Sequence, residues 1–386
     1  MTMSLFLLTF LSIYGAMHLY LFVKARSALS AGLGASVGMA LFLTLMVVAP
    51  VTVRLLDRHG MHLGGRYLAY AAYTWMGLLF FFICLSLCLD VYNLSMRLLA
   101  LLPGSSFTVR LVWKGRGSFI LISLAVILLA SWSAYSAWQI RVDRVVLSTK
   151  KLPPQVDKLT IAQISDVHLG PMVGEKRLAR IIGLLERVKP DLVVATGDLV
   201  DAQIDQLNNL VTMLAALKPP LGKFAIAGNH EFYAGIRQSG RFLRAAGFKF
   251  MRNEDFELNG LINLVGVDDP AGERRYPEIG QVGKEEKVLL ADLDSERFTL
   301  LLKHRPTVEK ESLGRFDLQL SGHTHGGQIF PFNLITRLFY PRQRGLYHLG
   351  KESMLYVSRG TGTWGPPMRF LSPPEVTLIE LQRIEG

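Results

Sequence analysis

The sequence predicts an all-α membrane module of four helices followed by an α/β layered domain. Half of the 386 residues are hydrophobic and only 19% are charged, which is a poor fit for a disordered or a fully soluble chain. Long apolar stretches occur in the first 140 residues, whereas short β-branched runs that alternate with amphipathic segments begin after residue 157. The net charge also differs between the two parts. It is +9 for residues 1–150, with 12 Lys and Arg against 3 Asp and Glu, and +2 for residues 151–386, with 30 Lys and Arg against 28 Asp and Glu.

The N-terminal apolar stretches are long enough to cross a hydrocarbon core of about 30 Å. They contain no Asp, Glu, Lys or Arg through most of their length. A cleaved signal peptide is the alternative for the first stretch, but Lys24 and Arg26 follow its apolar run instead of preceding it. Residues 96–102 are too short to span and are predicted to be interfacial. We therefore predict a transmembrane module over residues 1–140, with helices at about 5–23, 33–53, 67–89 and 119–138.

Residues 141–157 are basic and contain Pro153 and Pro154, so we expect a connector there. The alternating pattern beyond it is typical of a layered α/β domain, which we place at residues 158–386. Strands and helices are predicted in alternation at residues 159–164, 175–188, 191–195, 206–217 and 223–227. In such domains functional groups collect at the carboxyl ends of the strands.

Polar residues follow five predicted strands of this domain. They are Asp166 and His168; Asp198 and Asp201; Asn229 and His230; His304; and His323 and His325. Residues i and i+2 of an extended segment share a face, so Asp166 and His168 are expected to point to the same side, as are His323 and His325. The strand ends therefore bring carboxylates, an amide and imidazoles to one edge.

Metal binding explains why these residue types would converge. Imidazole and carboxylate without sulfur suit Mn, Fe, Zn, Co or Ni, and no Cys occurs after residue 150. A carboxylate can bridge two ions that lie about 3.5–4 Å apart. One ion cannot use every candidate donor, so we expect a site for two divalent transition-metal ions.

In this order, the motifs Asp-x-His, Gly-Asp-x-x-Asp, Gly-Asn-His-Glu, an isolated His and Gly-His-x-His resemble those of the calcineurin-like metallophosphoesterase superfamily, over roughly residues 158–383. The segment Gly-His-Thr-His-Gly-Gly-Gln and the tail 358–367 resemble a bacterial membrane-associated branch that often carries an N-terminal hydrophobic module. The resemblance implies an αββα sandwich, in which two packed mixed sheets are flanked by helices.

The resemblance also implies roles for the individual residues. Asp166, His168, Asp198 and His325 would hold one metal ion. Asp198, as the bridge, would hold the other together with Asn229, His304 and His323. His230 would donate a proton to the leaving-group oxygen, and Asp201 would orient His230. A helix N-cap is the structural alternative for Asp201.

The implied reaction is hydrolysis of a phosphomonoester, phosphodiester or pyrophosphate bond by hydroxide that two cations generate from water. Nothing in the ligand spacing distinguishes these three bonds. Protein Ser/Thr phosphatases of the superfamily carry an Arg directly after the second acid of the Gly-Asp-x-x-Asp motif. In this chain Asp201 is followed by Ala202, which argues against a phosphoprotein substrate. A nucleic-acid substrate is disfavoured because residues 151–386 are almost neutral.

The segment 330–344 is dense in apolar and basic residues. We interpret it either as a lip that contacts the membrane surface or as a packed extension of the core. A domain tethered to four spans is confined to the bilayer surface, so lipid-linked phosphates are the first substrate class that we expect. A UDP-2,3-diacylglucosamine pyrophosphatase is a concrete alternative. A non-enzymatic membrane sensor or scaffold with a relict site is the alternative of another class, and the complete ligand set speaks against it.

Orientation in the membrane is evaluated from the basic residues that flank the spans. Lys and Arg number six on one side and seven on the catalytic side, so the positive-inside rule does not decide. The first span carries Lys24 and Arg26 only at its C-terminal flank. If this span dominates, both chain ends lie outside. We therefore predict a multi-pass protein of the bacterial cytoplasmic (inner) membrane with an extracytoplasmic catalytic domain.

Overall fold

The computed structural model describes residues 3–59, 61–103, 105–170, 172–201, 208–275 and 284–385. The chain divides into two compact units. The first comprises Met1–Tyr135 and Gly365–Met368, and the second comprises Ser136–Trp364 and Arg369–Gly386.

The first unit is helical. Its long helices are α1 (Met3–Leu29), α2 (Leu33–Arg58), α3 (His62–Leu99) and α4 (Arg116–Trp138). Within the described residues, these four helices are long and apolar enough to cross a membrane, which confirms the predicted membrane module. Many of their leucines are exposed, Leu128 by 71% for example, as expected of side chains that face lipid. The chain is thus a membrane protein by length and composition of its helices.

One helix boundary differs from the prediction. Residues 96–99, predicted to belong to a separate interfacial segment, instead continue α3, which has 38 residues. No helix-breaking residue occurs in this stretch before Pro103. Proline disfavours the helical conformation in the residue before it, so α3 ends shortly before that position.

The second unit contains two six-stranded mixed sheets. The strand order is β1-β12-β2-β3-β4-β5 in the first sheet and β10-β11-β9-β8-β7-β6 in the second. The strands are β1 (Arg141–Thr149), β2 (Lys158–Ile164), β3 (Leu192–Thr196), β4 (Lys223–Ile226), β5 (Lys249–Phe250), β6 (Glu254–Leu258), β7 (Ile262–Val267), β8 (Phe298–Lys303), β9 (Leu318–Ser321), β10 (Gly345–Gly350), β11 (Ser353–Val357) and β12 (Glu375–Arg383). The helices are α5 (Glu175–Val188), α6 (Asn208–Ala216), α7 (Asn229–Ala234), α8 (Ile236–Ala245), α9 (Ala271–Arg275), α10 (Glu286–Leu289) and α11 (Phe332–Phe339).

Alternation along the strands builds a layered core. Ile161 and Leu302 belong to a cluster shared by both sheets, so the sheets pack face to face. Ala162 lies on the opposite face, in a cluster with Ile181 and Leu185 of α5. Leu301 likewise packs outward, against residues that include Leu289 of α10. The predicted αββα sandwich is therefore confirmed, and residues 206–207 of the predicted second helix lie outside the described residues.

The segment 141–157 is not a simple connector. Residues Arg141–Thr149 form β1, which pairs in parallel with β12 along its whole length, from Arg141 opposite Glu375 to Thr149 opposite Arg383. Arg141 and Arg144, two of the basic residues that suggested a connector, lie on this edge strand, where Arg144 Nη1 donates to Glu380 Oε1 over 2.8 Å. Leu147 of the same strand is buried in the core between the sheets, which gives the segment the apolar contact that a strand needs.

Candidate metal centre

Five strand ends deliver the predicted site residues to one place. The parallel neighbours β2, β3 and β4 lead into Asp166, Asp198 and Asn229. In the other sheet, the parallel neighbours β8 and β9 lead into His304 and His323. The carboxyl ends of parallel strands meet at one edge of their sheet. Asp198 of the first sheet lies together with His304 and His323 of the second, so both sheets contribute to the same site.

Among the described residues, three buried or half-buried clusters of possible ligand atoms result, each with its atoms within 4.8 Å of one another. They are Asp166, His168 and His325; His168, Asp198 and His230; and Asp198, His304 and His323. His168 Nε2 lies 3.2 Å from His325 Nε2, and His304 Nε2 lies 3.2 Å from His323 Nδ1. Ring nitrogens that face each other in this way, with carboxylates beside them, match the donor set of a transition metal.

Asn229 supplies an independent test of fit to a metal. Its side chain is buried, and Oδ1 has no hydrogen-bond partner among the described residues. A buried carbonyl oxygen without a partner costs free energy, so such atoms are rare in folded proteins. A divalent cation would satisfy this oxygen, and the nitrogen and oxygen donors of the clusters suit such an ion.

Backbone strain is concentrated at the same residues. Asp166, His168, Asp198, His323 and His325 have φ angles of 52°, 56°, 53°, 68° and 50°. Residues with a Cβ seldom adopt this left-handed conformation. Strained residues that cluster in one site indicate a functional constraint, because nothing in the formation of the strands themselves requires them.

Contacts around the candidate ligands fix their orientation. His304 Nδ1 donates to the carbonyl oxygen of Thr196 over 2.8 Å, so Nε2, which lies 3.1 Å from Asp198 Oδ2, is the nitrogen that could bind a metal ion. Ser165 Oγ donates to Asp166 Oδ2 over 2.6 Å, and the His323 N–H donates to Asp166 Oδ1 over 3.0 Å. Partners of this kind set the tautomer and direction of metal-binding side chains.

Glu231 holds the Asp198 loop and was not predicted to have a role. Its carboxylate is fully buried and accepts hydrogen bonds from the N–H groups of Gly228, Asp198 and Leu199, each over 2.8 Å, and of Val200 over 3.1 Å. It thereby ties the turn before Asn229 to the turn that bears Asp198. In the sequence, Glu231 is recognisable only as the fourth residue of the Gly-Asn-His-Glu motif, and the motif does not indicate its role.

Arg369 is a second residue that the sequence analysis missed. It is fully buried, and its guanidinium donates to the carbonyl oxygens of His325 and Arg359 over 2.9 Å and 2.6 Å. The tail 358–367 also packs on the Asp166 loop, since the Gly362 N–H donates to the Asp166 carbonyl oxygen over 3.0 Å. Arg369 therefore supports the His325 loop, and Gly362 of the tail supports the Asp166 loop.

His230, which belongs to the second cluster, also forms a pair with Asp201. Asp201 Oδ1 lies 2.5 Å from His230 Nδ1. Burial alone would lower the pKa of His230, but the negative charges of Asp198 and Asp201 raise it to about 9. Burial would raise the pKa of Asp201, but the positive charge of His230 holds that pKa far below its usual value. A protonated imidazole at neutral pH is the form that can donate a proton.

Burial and neighbouring charges shift the pKa values of His323 and His325 in one direction and that of His304 in the other. Burial and the positive charge of Arg369 lower the pKa of His325, and burial together with His304 lowers that of His323, so both are neutral and able to bind a metal. Burial would also lower the pKa of His304, but Asp198 raises it to about 10. Conversely, burial would raise the pKa of Asp198, but His304 and His230 hold it well below the usual value. A divalent cation would take the place of the proton on His304.

Comparison with known proteins is consistent with this arrangement. The family model for the calcineurin-like phosphoesterases matches residues 159–327. A metallophosphoesterase of Aquifex aeolicus (strain VF5) is 43% identical over 258 residues, which cover 66% of this chain and 97% of that protein. The chain belongs to the calcineurin-like metallophosphoesterases. This confirms the resemblance inferred from the motifs, and with it the assignment of the protein as a metal-dependent phosphoesterase.

Other metallophosphoesterases resemble the chain over more of its length. A transmembrane protein with a metallophosphoesterase domain from Danio rerio is 33% identical over 345 residues, covering 84% of this chain and 78% of that protein. Among solved structures, a dimetal phosphatase from Danio rerio aligns with a TM-score of 0.38 at 12% identity, over 59% of this chain and 93% of that one. In the chain described here, all predicted site residues lie within the residues that the family model matches, 159–327.

Proposed function

We propose that this protein is a membrane-anchored phosphohydrolase that uses two divalent transition-metal ions, of Mn, Fe, Zn, Co or Ni, on a lipid-linked phosphate. Two observations carry the metal chemistry: the clusters of His and Asp donors that the strand ends bring together, and the buried Asn229 Oδ1, which has no hydrogen-bond partner among the described residues. When bound, two such ions generate hydroxide from water at neutral pH and neutralise phosphoryl oxygens.

Two overlapping ligand sets account for the clusters. One ion would be held by Asp166, His168, Asp198 and His325. The other would be held by Asp198, Asn229, His304 and His323. Asp198 belongs to two of the clusters and its Oδ2 lies 3.1 Å from His304 Nε2, which supports its role as the shared ligand.

His230 and Asp201 would handle the proton of the leaving group. His230 is anchored from both sides, because its backbone N–H donates to Asp198 Oδ1 over 2.8 Å and its ring contacts Asp201. The imidazole is thus positioned between the shared carboxylate and a carboxylate that stabilises its charged form. In this role it would protonate the oxygen that leaves phosphorus, and Asp201 would keep the ring in place.

The lipid-linked substrate is supported by α11. None of the residues of this fully described helix is buried, so the alternative of a packed core extension does not hold for it. Leu338 and Phe339 are 80% and 75% exposed. Directly after the helix, the Tyr340 ring lies 5.1 Å from that of His323, and its hydroxyl accepts from Arg305 over 3.2 Å. An apolar surface helix beside a candidate ligand suits a substrate embedded in lipid.

The nucleotide-linked substrate of a UDP-2,3-diacylglucosamine pyrophosphatase is the second candidate. The observation in its favour is a pair of exposed aromatic residues next to the proposed proton donor. The rings of Tyr233 and Trp364 lie 5.5 Å and 6.0 Å from that of His230 and are about half exposed. Such rings can stack on a planar leaving group, such as the base of a nucleotide.

Activity toward three substrates tests the proposal with the full-length protein in phosphatidylcholine vesicles. They are phosphatidic acid in the vesicle, UDP-2,3-diacylglucosamine, and soluble bis-p-nitrophenyl phosphate, each with Mn²⁺ and with EDTA. Hydrolysis that EDTA abolishes distinguishes an enzyme from a relict sensor or scaffold. Metal-dependent hydrolysis of the soluble diester without turnover of either lipid would refute the lipid-linked substrate and leave the phosphoesterase chemistry intact.

The role of α11 is tested by Leu338→Asp. We expect turnover of the vesicle-embedded substrate to fall ~10-fold or more, because a charge in an apolar membrane-binding face opposes insertion. Turnover of bis-p-nitrophenyl phosphate should not change. Val288→Asp is the matched control, since Val288 is also an exposed apolar residue, at 40%, but lies on α10. Equal losses in both variants would contradict a specific role of α11.

A further inference from the structure

A cavity of about 380 Å³ lies within the helical unit, among the C-terminal parts of α1 and α3 and the N-terminal end of α4. Four charged residues line it: Lys24, Asp90, Arg97 and Lys114. Lys24, Asp90 and Arg97 lie within the candidate membrane spans, and ionisable residues within such spans are rare and generally pair with one another or mark a functional site. The cavity belongs to no part of the phosphoesterase site.

The charges of the cavity leave a positive excess. Asp90 is neutralised locally, because Lys24 Nζ forms an ion pair with Oδ1 and the Tyr20 hydroxyl donates to Oδ2 over 2.6 Å. Neither Arg97 nor Lys114 forms a direct ion pair within the described part of the chain. Three cations against one anion give the lining a formal charge of +2, which favours an anionic ligand.

The segment that carries Lys114 is held in place against α3. The side chain of Asn93 is nine-tenths buried and bonds the backbone of Trp113 twice, from Nδ2 to the carbonyl oxygen over 2.7 Å and from the N–H to Oδ1 over 2.9 Å. Lys114 is therefore presented from a fixed turn. The geometry is that of a formed site and not of a flexible loop.

The other end of the cavity is apolar and continues into a groove. Phe82 and Phe119 close it, with their ring centroids 5.7 Å apart. A second cavity of about 210 Å³ shares residues with the first and extends along α3 and α4. The shared residues are Leu89, Trp113, Ser118 and Ile122, and the additional ones are Leu85, Leu121 and Ala125. A polar pocket thus leads directly into an apolar groove.

We infer that this pair of cavities binds a phosphate-bearing lipid of the bilayer. The anionic head group lies beside Arg97 and Lys114, and one acyl chain lies in the groove past Ala125. Basic pockets between membrane helices bind anionic lipid head groups for the same electrostatic reason. A soluble phosphate would satisfy the cations but would leave the groove empty, so the amphiphile is the ligand that fits both parts. The inference is independent of the substrate proposed above.

Native mass spectrometry of the full-length protein in detergent, titrated with phosphatidylglycerol or phosphatidylcholine, tests the inference. We expect one tightly bound phosphatidylglycerol and a preference of ~10-fold or more over phosphatidylcholine. The double variant R97Q/K114Q should lose that preference, at roughly 5-fold for each cation removed. The control R26Q/R110Q removes the same charge from residues outside the cavity lining and should retain the preference. Glycerol 3-phosphate should not displace the lipid.

A second measurement does not depend on the folding of a charge variant. A photoreactive phosphatidylglycerol should label the wild-type chain between Leu85 and Ala125, and Ala125→Phe should reduce the labelling by filling the groove. Labelling elsewhere, equal affinity for both lipids, equal loss in the two double variants, or displacement by glycerol 3-phosphate would each overturn the inference. Unchanged hydrolysis of bis-p-nitrophenyl phosphate by every variant checks that the catalytic unit is intact.

Discussion

Asp198 lies where the candidate ligand clusters meet. It belongs to two of the three clusters and also accepts the backbone N–H of His230. We predict that Asp198→Ala abolishes hydrolysis of bis-p-nitrophenyl phosphate and lowers the metal content from about two ions per chain to below one, because both ions share this carboxylate. Elemental analysis and the assay check both effects. Asp292→Ala, at an exposed acid, is the control, and full activity of metal-free, EDTA-treated protein would contradict the mechanism.

His230 is expected to behave in the opposite way from the ligands. His230→Ala should keep the metal content near that of the unmodified protein and lower turnover by ~10² to 10⁴, the usual range for a positioned proton donor. The loss should be smaller for a p-nitrophenolate leaving group, which needs little protonation, than for an alkyl phosphodiester. Elemental analysis of the purified variant is decisive, because loss of metal would identify His230 as a ligand instead.

The residues that the sequence could identify are those that belong to short motifs directly after strands. Asp166 and His323 are recognisable because each belongs to a pair of candidate ligands spaced two residues apart, directly after a predicted strand. Glu231 and Arg369 act mainly on backbone groups, and a sequence contains no sign of which N–H or carbonyl a side chain will reach in the folded protein. Their roles depend on contacts between loops that are far apart in sequence, so only the structure defines them.

At the scale of elements, the turn after β9 must lie very close to the turn after β2. A Cβ at Gly322 would overlap Ser165 Oγ and Asp166 Oδ2. We predict that Gly322→Ala displaces Asp166, weakens metal binding and destabilises the fold by about 1–3 kcal/mol. Gly183→Ala is the matched control, because a Cβ there meets nothing within 4 Å in helix α5 and should stabilise by up to about 1 kcal/mol. Thermal unfolding and metal titration measure both variants, and equal behaviour of the two would argue against the close approach.

The strands also differ in how well the sequence predicts them, depending on whether the signal lies in the strand itself or in a distant partner. The strands that precede the site residues were predicted within one or two residues, since β-branched runs and their flanking turns are local signals. Strand β1 was missed because its partner, β12, lies at the other end of the chain. Its basic residues suggest a linker until Glu380 is seen beside Arg144. Pairing between distant strands cannot be inferred from the composition of either one.

For the whole molecule, the connection between helices and sandwich restricts where the enzyme can act. Helix α4 ends at Trp138 and β1 begins at Arg141, so only Gln139 and Ile140 separate a membrane-spanning candidate from the first strand. We propose that so short a link would confine the catalytic unit to the bilayer surface, whichever side of the membrane it occupies. The side decides the substrates that it can meet, because nucleotide-linked precursors are cytoplasmic compounds.

We predict that the side is extracytoplasmic. With four spans both chain ends lie on the same side, and the basic residues flanking α1 are at its C-terminal end, Lys24 and Arg26. If the first span sets the orientation, this end stays in the cytoplasm and the N-terminus lies outside. Alkaline phosphatase fused after Gly386 should then be active and green fluorescent protein at the same position dark, whereas fusions after Ala31, between α1 and α2, should give the reverse. A fluorescent, phosphatase-inactive pair at Gly386 would place the catalytic unit in the cytoplasm, and the UDP-linked lipid would then become the first substrate to test.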